Sequence, residues 1–180
     1  MKGDTLICRP TGESANPMGR KLVLVDLDNL SGMRDLGPAE WRELLRHLWI
    51  ELGTAEDDQV IISMCRHTMA IAMPVLVGVP AQLLARDGKD GAEIAIRDAV
   101  NIRHAAERFE VLVIASGDHF FTQMARQAQR RHMYIWQVCS TRAGCAMTLR
   151  RAADRHSQLD PSRLWVTRDE GRLYTHAEAS

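Results

Sequence analysis

Two short, uninterrupted apolar runs constrain the fold of this chain more than any other feature of its sequence. Residues 21–25 read KLVLV and residues 110–115 read EVLVIA. A strand with one solvated face would alternate apolar and polar residues, so continuous runs predict strands that are covered on both faces. Strand candidates alternate with helical segments, which predicts a Rossmann-like α/β domain. In this three-layer sandwich, helices flank a mostly parallel central sheet of about five strands.

The other elements follow from periodicity and from stop signals. Apolar residues at three- and four-residue steps predict a helix that opens at Gly37-Pro38 and ends before Gly53. They are Trp41, Leu44, Leu45, Leu48 and Leu52. Further strands are expected over 59–64, 75–79 and 132–139, with a last edge strand over 164–167. Further helices are expected for about 14 residues from Ala92, after Asp118 with Phe121, Met124, Ala125 and Ala128 inward, and over 148–156.

The chain is expected to form one domain over residues 20–170, since 180 residues can bury a single core. Residues 1–19 contain three Gly and two Pro and are expected to form a flexible leader, and residues 171–180 a tail. No run approaches the roughly 18 apolar residues of a membrane span, and the segment MKGDTLICRP has no apolar stretch of the length expected for a secretion signal. A cytoplasmic protein with no membrane partner is therefore expected.

The four cysteines are scattered along the chain and show no spacing typical of a zinc site. They are Cys8, Cys65, Cys139 and Cys145. We expect reduced, mostly structural thiols, as is usual in the cytoplasm.

Acidic residues end two of the predicted strands and begin one predicted helix. Asp26, Asp28 and Asn29 follow the first run, Ser116 and Asp118 follow the run at 110–115, and Asp90 and Glu93 flank Gly91. The carboxyl ends of parallel strands meet at one edge, where such folds bind ligands. Gathered carboxylates repel one another, so a cation is expected to hold them, and oxygen ligands favour Mg²⁺ or Mn²⁺. Taken singly, these acids could instead cap turns or helices.

Helix geometry separates the two acids of the helix that follows Gly91. At about 100° per residue, Glu93 and Arg97 share a face, whereas Asp98 lies about 140° from Glu93. Glu93 is therefore the preferred ligand. Asp98 is expected to pair with a base such as Arg103 or to stay solvated.

Three motifs, in order, resemble those of NYN domains, a family of PIN-like metal-dependent ribonucleases. They are VDLDNL at 25–30, GAEIAI at 91–96 and VIASGD at 113–118, and the segment 148–154 resembles a recurring end segment. The resemblance covers roughly residues 20 to 160 and implies a PIN-like fold, a divalent metal and cleavage or binding of RNA. By position it makes Asp26, Glu93 and Asp118 the metal-binding acids, with Asn29 orienting the metal or the substrate.

The chain departs from the family pattern at two acids. Phe120 stands where many relatives carry a fourth acid, and Glu93 replaces an aspartate. Asp28 or His119 could compensate for the lost charge, and Asp28 is a further candidate for ordering water. His119 is also a candidate for an acid/base role, although a lone histidine at the start of a helix is more often a packing or capping residue.

RNA would lie across the strand ends. Lys and Arg equal Asp and Glu at 23 each, so phosphate contacts must come from local clusters. The candidates are Arg66, His67, Arg86, Lys89 and Arg97. Only 5% of residues are aromatic, which predicts weak base recognition. A homodimer would enlarge the surface available to RNA.

Three other readings remain open. The DLDN segment superficially matches a haloacid dehalogenase-type phosphatase, in which Asp26 would be a nucleophile and Asp28 a general acid. Leu30 and Thr122 depart from that pattern. A non-catalytic RNA- or protein-binding domain on the same fold would explain Phe120. A nucleotide-binding module lacks support, because neither a P-loop nor G-x-G-x-x-G follows the first strand.

Overall fold

A computed structural model describes residues 19–32, 36–140 and 144–159. Its six strands form one sheet in the order β3-β2-β1-β4-β5-β6, and every neighbouring pair is parallel. The strands are β1 (Lys21–Asp26), β2 (Gln59–Met64), β3 (Gln82–Ala85), β4 (Val111–Ala115), β5 (Tyr134–Ser140) and β6 (Arg155–Leu159). The Rossmann-like prediction is confirmed, with six strands in place of about five.

Helices cover both faces of the sheet. They are α1 (Leu27–Ser31), α2 (Pro38–Leu52), α3 (Arg66–Leu76), α4 (Gly91–Ala99), α5 (Ile102–Ala106), the 3₁₀ helix η1 (His119–Phe121), α6 (Thr122–Gln129) and α7 (Met147–Arg150). Val23 and Val25 of β1 pack with α2 and α3, whereas Leu22 and Leu24 pack with α4, α5 and α6. The side chains of one strand thus enter two cores, which is why the sequence of β1 is apolar without alternation.

The strand order reverses between β1 and β4, which are neighbours in the sheet although two strands and five helices separate them in the chain. Val25 pairs with Ala115, so Asp26 and Ser116 are the next residues along adjacent strands. Ligands of open parallel sheets bind in the crevice at such a reversal, outside the carboxyl ends of the strands. The fold therefore brings the acidic ends of β1 and β4 to its ligand-binding edge.

The expected strand over 75–79 is wrong. Val75 lies in the last turn of α3 with its side chain buried, and the third strand is Gln82–Ala85. A short apolar run cannot by itself distinguish a buried strand from the buried face of a helix. Here the apolar run begins in the last turn of the helix that starts at Arg66, and Val75 and Leu76 continue that helix.

Two expected helices are shorter than their patterns suggested. The helix of about 14 residues ends at Ala99, because Val100 is extended and Asn101 caps a new helix by accepting from the backbone of Arg103 and His104. The expected helix over 148–156 is confirmed only to Arg150, since residues 155–159 form β6 beside β5. The leader up to residue 18, the edge strand over 164–167 and the tail over 171–180 lie outside the described residues.

Within the described ranges, no helix has the length and apolar character needed to cross a bilayer.

A buried ion pair holds the amino end of the sheet. Lys21 Nζ lies 3.3 Å from Asp58 Oδ2, and both side chains are 1% exposed. Asp58 also accepts from the backbone N–H groups of Lys21 at 2.7 Å and Ala55 at 2.8 Å. Removing one partner of such a pair leaves an uncompensated buried charge.

We expect Asp58→Ala to lower the free energy of unfolding by about 3–5 kcal/mol. Asp57→Ala is the matched control, because among the described residues the Asp57 side chain forms an exposed ion pair with Arg20, of a kind worth about 0–1 kcal/mol, and the backbone carbonyl that also accepts from Arg20 is kept. Urea unfolding of both variants beside the unsubstituted protein measures the difference. Equal losses in the two variants would contradict the assignment of Lys21–Asp58 as a main support of the sheet.

Candidate functional site

Asp26 ends β1 as a buried carboxyl group, 1% exposed, that caps the short helix α1. Its Oδ1 accepts from the N–H of Asn29 at 3.1 Å, and its Oδ2 accepts from Ser116 Oγ at 3.1 Å. Burial, and after it the negative charge of Glu93, raises the pKa of Asp26 to about 7. Asp26 therefore caps α1 and at the same time lies in the acidic cluster, so the two roles considered for it are compatible.

Ser116 and Asn29 join the ends of β1 and β4. Ser116 Oγ donates to Asp26 and accepts from the N–H of Asp118 at 3.1 Å. Asn29 Oδ1 accepts from the N–H of Gly117 at 2.8 Å. The expectation that the two strand ends meet is confirmed. This bond fixes Asn29 to the backbone of the third motif, VIASGD at 113–118.

Gly117 is required by its surroundings. A Cβ atom at this position would collide with the carbonyl oxygen of Gly144, and it would lie 3.4 Å from Asn29 Oδ1. The carbonyl of Gly117 in turn accepts from the N–H of Ala146 at 2.8 Å. The segment 144–146 therefore rests directly on the backbone that presents Asp118.

Glu93 lies in the first turn of α4 and is 7% exposed. Desolvation raises the pKa of Glu93, and the nearby negative charges of Asp118, Asp90 and Asp28 raise it further. Those interactions place all three acidic clusters of the sequence within electrostatic range of one another. Asp90 itself is exposed, with a left-handed backbone (φ 55°), ahead of the helix.

Asp28 lies at the same edge, but its carboxylate is directed at the start of α3. Its oxygens accept from the N–H of Cys65 at 2.7 Å and from Thr68 Oγ1. These bonds fix the turn between β2 and α3. The structure thus gives Asp28 a positioning contact beside its place in the acidic cluster.

Asp118 caps η1 by accepting from the N–H of Phe120 at 2.7 Å, and it remains half-buried. His119 Nδ1 lies 3.0 Å from Asp118 Oδ1, while its side chain is 83% exposed. The imidazole therefore stands at the solvent side of the acidic cluster, where it can reach a ligand.

The basic candidates mostly pair with acids outside the cluster. Arg66 binds Asp87 at 2.7 Å, and Asp98 binds both Arg86 and Arg97 at 2.9 Å. Asp98 therefore does not join Glu93, and its partners are these two arginines and not Arg103. Its pKa is lowered, first by the hydrogen bond from Arg97. His67 is exposed in the first turn of α3, and Lys89 is exposed in the loop before α4, as expected.

Sequence reasoning missed a groove that runs away from Asp118 between α4, α5 and α6. Its first part, about 690 Å³, is lined by Arg97, Asn101, Phe120, Gln123 and Gln127 among others. Its second part shares Asn101 and Gln127 and adds Arg103, Arg130 and Arg131. Asp98 is the only acid of the two linings. We call this surface the basic groove. The adjacent pair Arg130-Arg131 after α6 was its visible signal.

The donor chemistry of the acidic cluster fits a hard divalent cation. All of its side-chain donors are oxygens, the ligand type of Mg²⁺ and Mn²⁺. Burial, and after it their mutual repulsion, raises the pKa of both Asp26 and Glu93, and a bound cation would offset both effects. Among the described residues the carboxylates do not draw three oxygens within 4.8 Å of one another. This spread suits ligation partly through water.

A second group of potential ligands corrects the prediction made for the cysteines. Cys139 and Cys145 form a disulfide, with Cα atoms 6.0 Å apart, and His156 lies beside them. The expectation of reduced, mostly structural thiols is therefore wrong for this pair, because the end of β5 and the segment from Gly144 lie close enough to join the two sulfurs. Cys65 carries a free thiol, and Cys8 lies outside the described residues.

No protein-family model and no curated protein matches this chain. Its structure is similar to the crystal structure of a protein of unknown function from Vibrio parahaemolyticus, with a TM-score of 0.56 and 17% identity. The match covers 82% of this chain and 97% of that chain. At this identity the similarity establishes a shared Rossmann-like fold and nothing about activity.

The Asp26 carboxyl links folding to pH. Its pKa is about 7 in the folded protein and has an ordinary value of 3.8, so the folded state keeps a proton that the unfolded chain releases. The stability that this proton contributes is complete below about pH 4. It is lost as the pH rises to about 7, with a slope of up to about 1.4 kcal/mol per pH unit.

We expect Asp26→Asn to gain stability relative to the unsubstituted protein across that window, in EDTA, when urea unfolding is followed at several pH values. Asp57→Asn, an exposed acid at the other end of the sheet, should show a constant difference. A constant difference for Asp26→Asn as well would mean that this carboxyl group is ionised throughout.

Proposed function

We propose that this protein is a metal-dependent endoribonuclease of the NYN-domain type. The observation that carries the proposal is the pair of buried acids, Asp26 and Glu93, that meets Asp118 at the strand-order reversal. Burying carboxylates that repel one another lowers the stability of a fold. Acids with perturbed pKa values in a cleft are therefore typical of active sites, where their chemistry is needed. The ordered motifs that resemble NYN domains support the same conclusion.

In this proposal Asp26, Glu93 and Asp118 hold Mg²⁺ or Mn²⁺. The bound cation would polarise the scissile phosphate and lower the pKa of a water molecule. Ser116 and Asn29 keep Asp26 and the Gly117–Asp118 backbone in place through the bonds described above. His119, exposed beside Asp118, is positioned to exchange a proton with the leaving oxygen.

The basic groove supplies a path for the RNA backbone. It begins at Arg97 and Phe120, close to Asp118, and continues to Arg103, Arg130 and Arg131. Arginines bind phosphates, while asparagine and glutamine side chains offer hydrogen bonds to sugars and bases. Arg97 lies 5.9 Å from the centre of the Phe120 ring, so this end can also stack an unpaired base.

The contacts of Asp28 disfavour the phosphatase alternative, in which Asp26 would be the nucleophile and Asp28 the general acid. Asp28, the general acid of that mechanism, is committed to the start of α3.

Phe120 favours a second candidate, an RNA-binding domain with weakened catalysis. The resemblance places a fourth acid at position 120, but the Phe120 ring there packs edge-on against Phe121. The missing charge would weaken cation binding while leaving the groove intact. In that case Phe120→Asp should raise Mn²⁺-dependent cleavage.

We further propose a cytoplasmic location, where RNA is abundant and free Mg²⁺ is available, and a homodimer as the form that extends the RNA-binding surface. Size-exclusion chromatography with and without RNA tests the second point.

We expect the purified protein to cleave end-labelled single-stranded RNA with Mn²⁺ or Mg²⁺ and not with EDTA. Asp26→Asn/Asp118→Asn should lower the rate by at least about 100-fold, because several kcal/mol of charge stabilisation are lost and about 1.4 kcal/mol corresponds to tenfold. Asp57→Asn, at the other end of the sheet, should keep the activity. RNA retention on a filter without cleavage under any metal would move the conclusion to the binding domain.

We expect Arg130→Gln/Arg131→Gln to weaken RNA binding and to lower the slope of log K against log salt concentration by about 1.4, since each phosphate contact to a single strand contributes about 0.7. Arg42→Gln/Arg46→Gln on α2, in the opposite helical layer, is the matched control. Filter binding at several salt concentrations measures both. An equal change in the two variants would exclude the groove as the RNA path.

A further inference from the structure

A compact group of soft ligands lies outside the acidic cluster, at the carboxyl end of β5. One atom each from Cys139, Cys145 and His156 lie within 4.8 Å of one another. Cys139 is buried and belongs to β5, His156 belongs to β6, and Cys145 follows Gly144 in the next segment. Three separate pieces of the fold thus deliver two sulfurs and one imidazole to a single point.

The register of β5 and β6 explains how His156 reaches the sulfurs. His156 pairs with Gln137, and Cys139 lies two residues further along β5, so their side chains share a face of the sheet. His156 Nε2 lies 4.0 Å from Cys139 Sγ. His156 Nδ1 is buried without a hydrogen-bond partner among the described residues. Nε2 is thus the ring nitrogen that faces the sulfurs, and a metal bound there would leave Nδ1 as a buried N–H for a captured water molecule to satisfy.

The distance between Cys139 Sγ and His156 Nε2 is close to what a tetrahedral metal needs. Zn–S bonds of about 2.3 Å and Zn–N bonds of about 2.0 Å hold neighbouring ligand atoms roughly 3.6–3.8 Å apart. His156 must therefore move slightly towards Cys139, whereas the two sulfurs, about 2.05 Å apart in a disulfide, must separate to about 3.8 Å once their bond is broken. Two thiolates and one imidazole are the ligand set of zinc and not of Mg²⁺.

We propose that Cys139, Cys145 and His156 form a zinc site in the reduced protein, and that the disulfide in the structure is its oxidised, metal-free alternative. A dithiol reductant supplies two electrons and two protons, so that the S–S bond breaks, two thiols form and the reductant becomes its own disulfide. Zn²⁺ then binds the two sulfurs as thiolates, and both thiol protons pass to solvent. A water molecule completes four-coordination.

The position of the site gives it a structural consequence. Cys145 lies between Gly144, whose carbonyl contacts Gly117, and Ala146, whose N–H donates to Gly117. Either the disulfide or the zinc ion therefore fixes this segment against the backbone that presents Asp118. The segment 144–146 is therefore fixed in both forms, by the disulfide in one and by the zinc ion in the other.

The test uses the full chain, reduced with dithiothreitol and desalted without oxygen, then titrated with Zn²⁺ against a chromophoric chelator and with Co²⁺. We expect one Zn²⁺ per reduced chain and a Co²⁺ spectrum with tetrahedral d–d and sulfur-to-cobalt charge-transfer bands. Cys145→Ser, His156→Ala and the oxidised protein should bind Zn²⁺ at least about 100-fold more weakly, because even outer-shell changes cost 10–100-fold.

Cys65→Ser is the matched control, since it removes the free thiol at the start of α3, and it should keep the affinity. Asp26→Asn/Asp118→Asn should also keep it, which separates this site from the acidic cluster. In the unsubstituted protein, Zn²⁺ should slow alkylation of Cys139 and Cys145 and leave that of Cys65 unchanged, as read by peptide mass spectrometry. Zinc binding unaffected by Cys145→Ser, or no sulfur-to-cobalt band, would overturn the proposal.

Discussion

The hydrogen bonds between the ends of β1 and β4 are the constraint on which the candidate site depends. Ser116 donates to Asp26, and Asn29 accepts from Gly117. These bonds offset part of the cost of burying the Asp26 carboxyl, whose pKa nevertheless rises to about 7 because burial and Glu93 disfavour its charge. The fold keeps the group where an apolar residue would be more stable. Such a cost is expected at a site that works on charged ligands.

Two chemically distinct donor sets stand next to each other along the same edge of the sheet. Oxygen donors gather at β1, β4 and α4, whereas sulfur and imidazole donors gather at β5 and β6. Gly117 connects them, because it precedes Asp118 and contacts the Gly144–Ala146 segment beside Cys145. Hard and soft ligand sets select different cations, so the metal proposed for the oxygen donors and the zinc proposed for the sulfur and imidazole donors would not compete for one set of ligands.

Much of the fold could be predicted because several elements carry one unambiguous pattern. The apolar runs of β1 and β4 exclude a half-solvated strand, and the steps from Trp41 to Leu52 admit only a helix between Pro38 and Gly53. Prediction failed where one pattern fits two structures. The apolar segment at 75–79 served as the end of a helix, and polar β6 carries no strand pattern because it lies at the sheet edge.

The sequence by itself determined the acids of the candidate site, since each follows directly from where a strand ends or a helix begins. Only the tertiary structure decided how each is used. Asp28 binds the start of α3 through partners 37 and 40 residues away in the chain, and Asp98 binds Arg86, 12 residues away, besides its neighbour Arg97. The basic groove and the meeting of Cys139 with His156 were decided in the same way. Such groups are brought together by the packing of helices and strands, and no local pattern records which distant side chains will become neighbours.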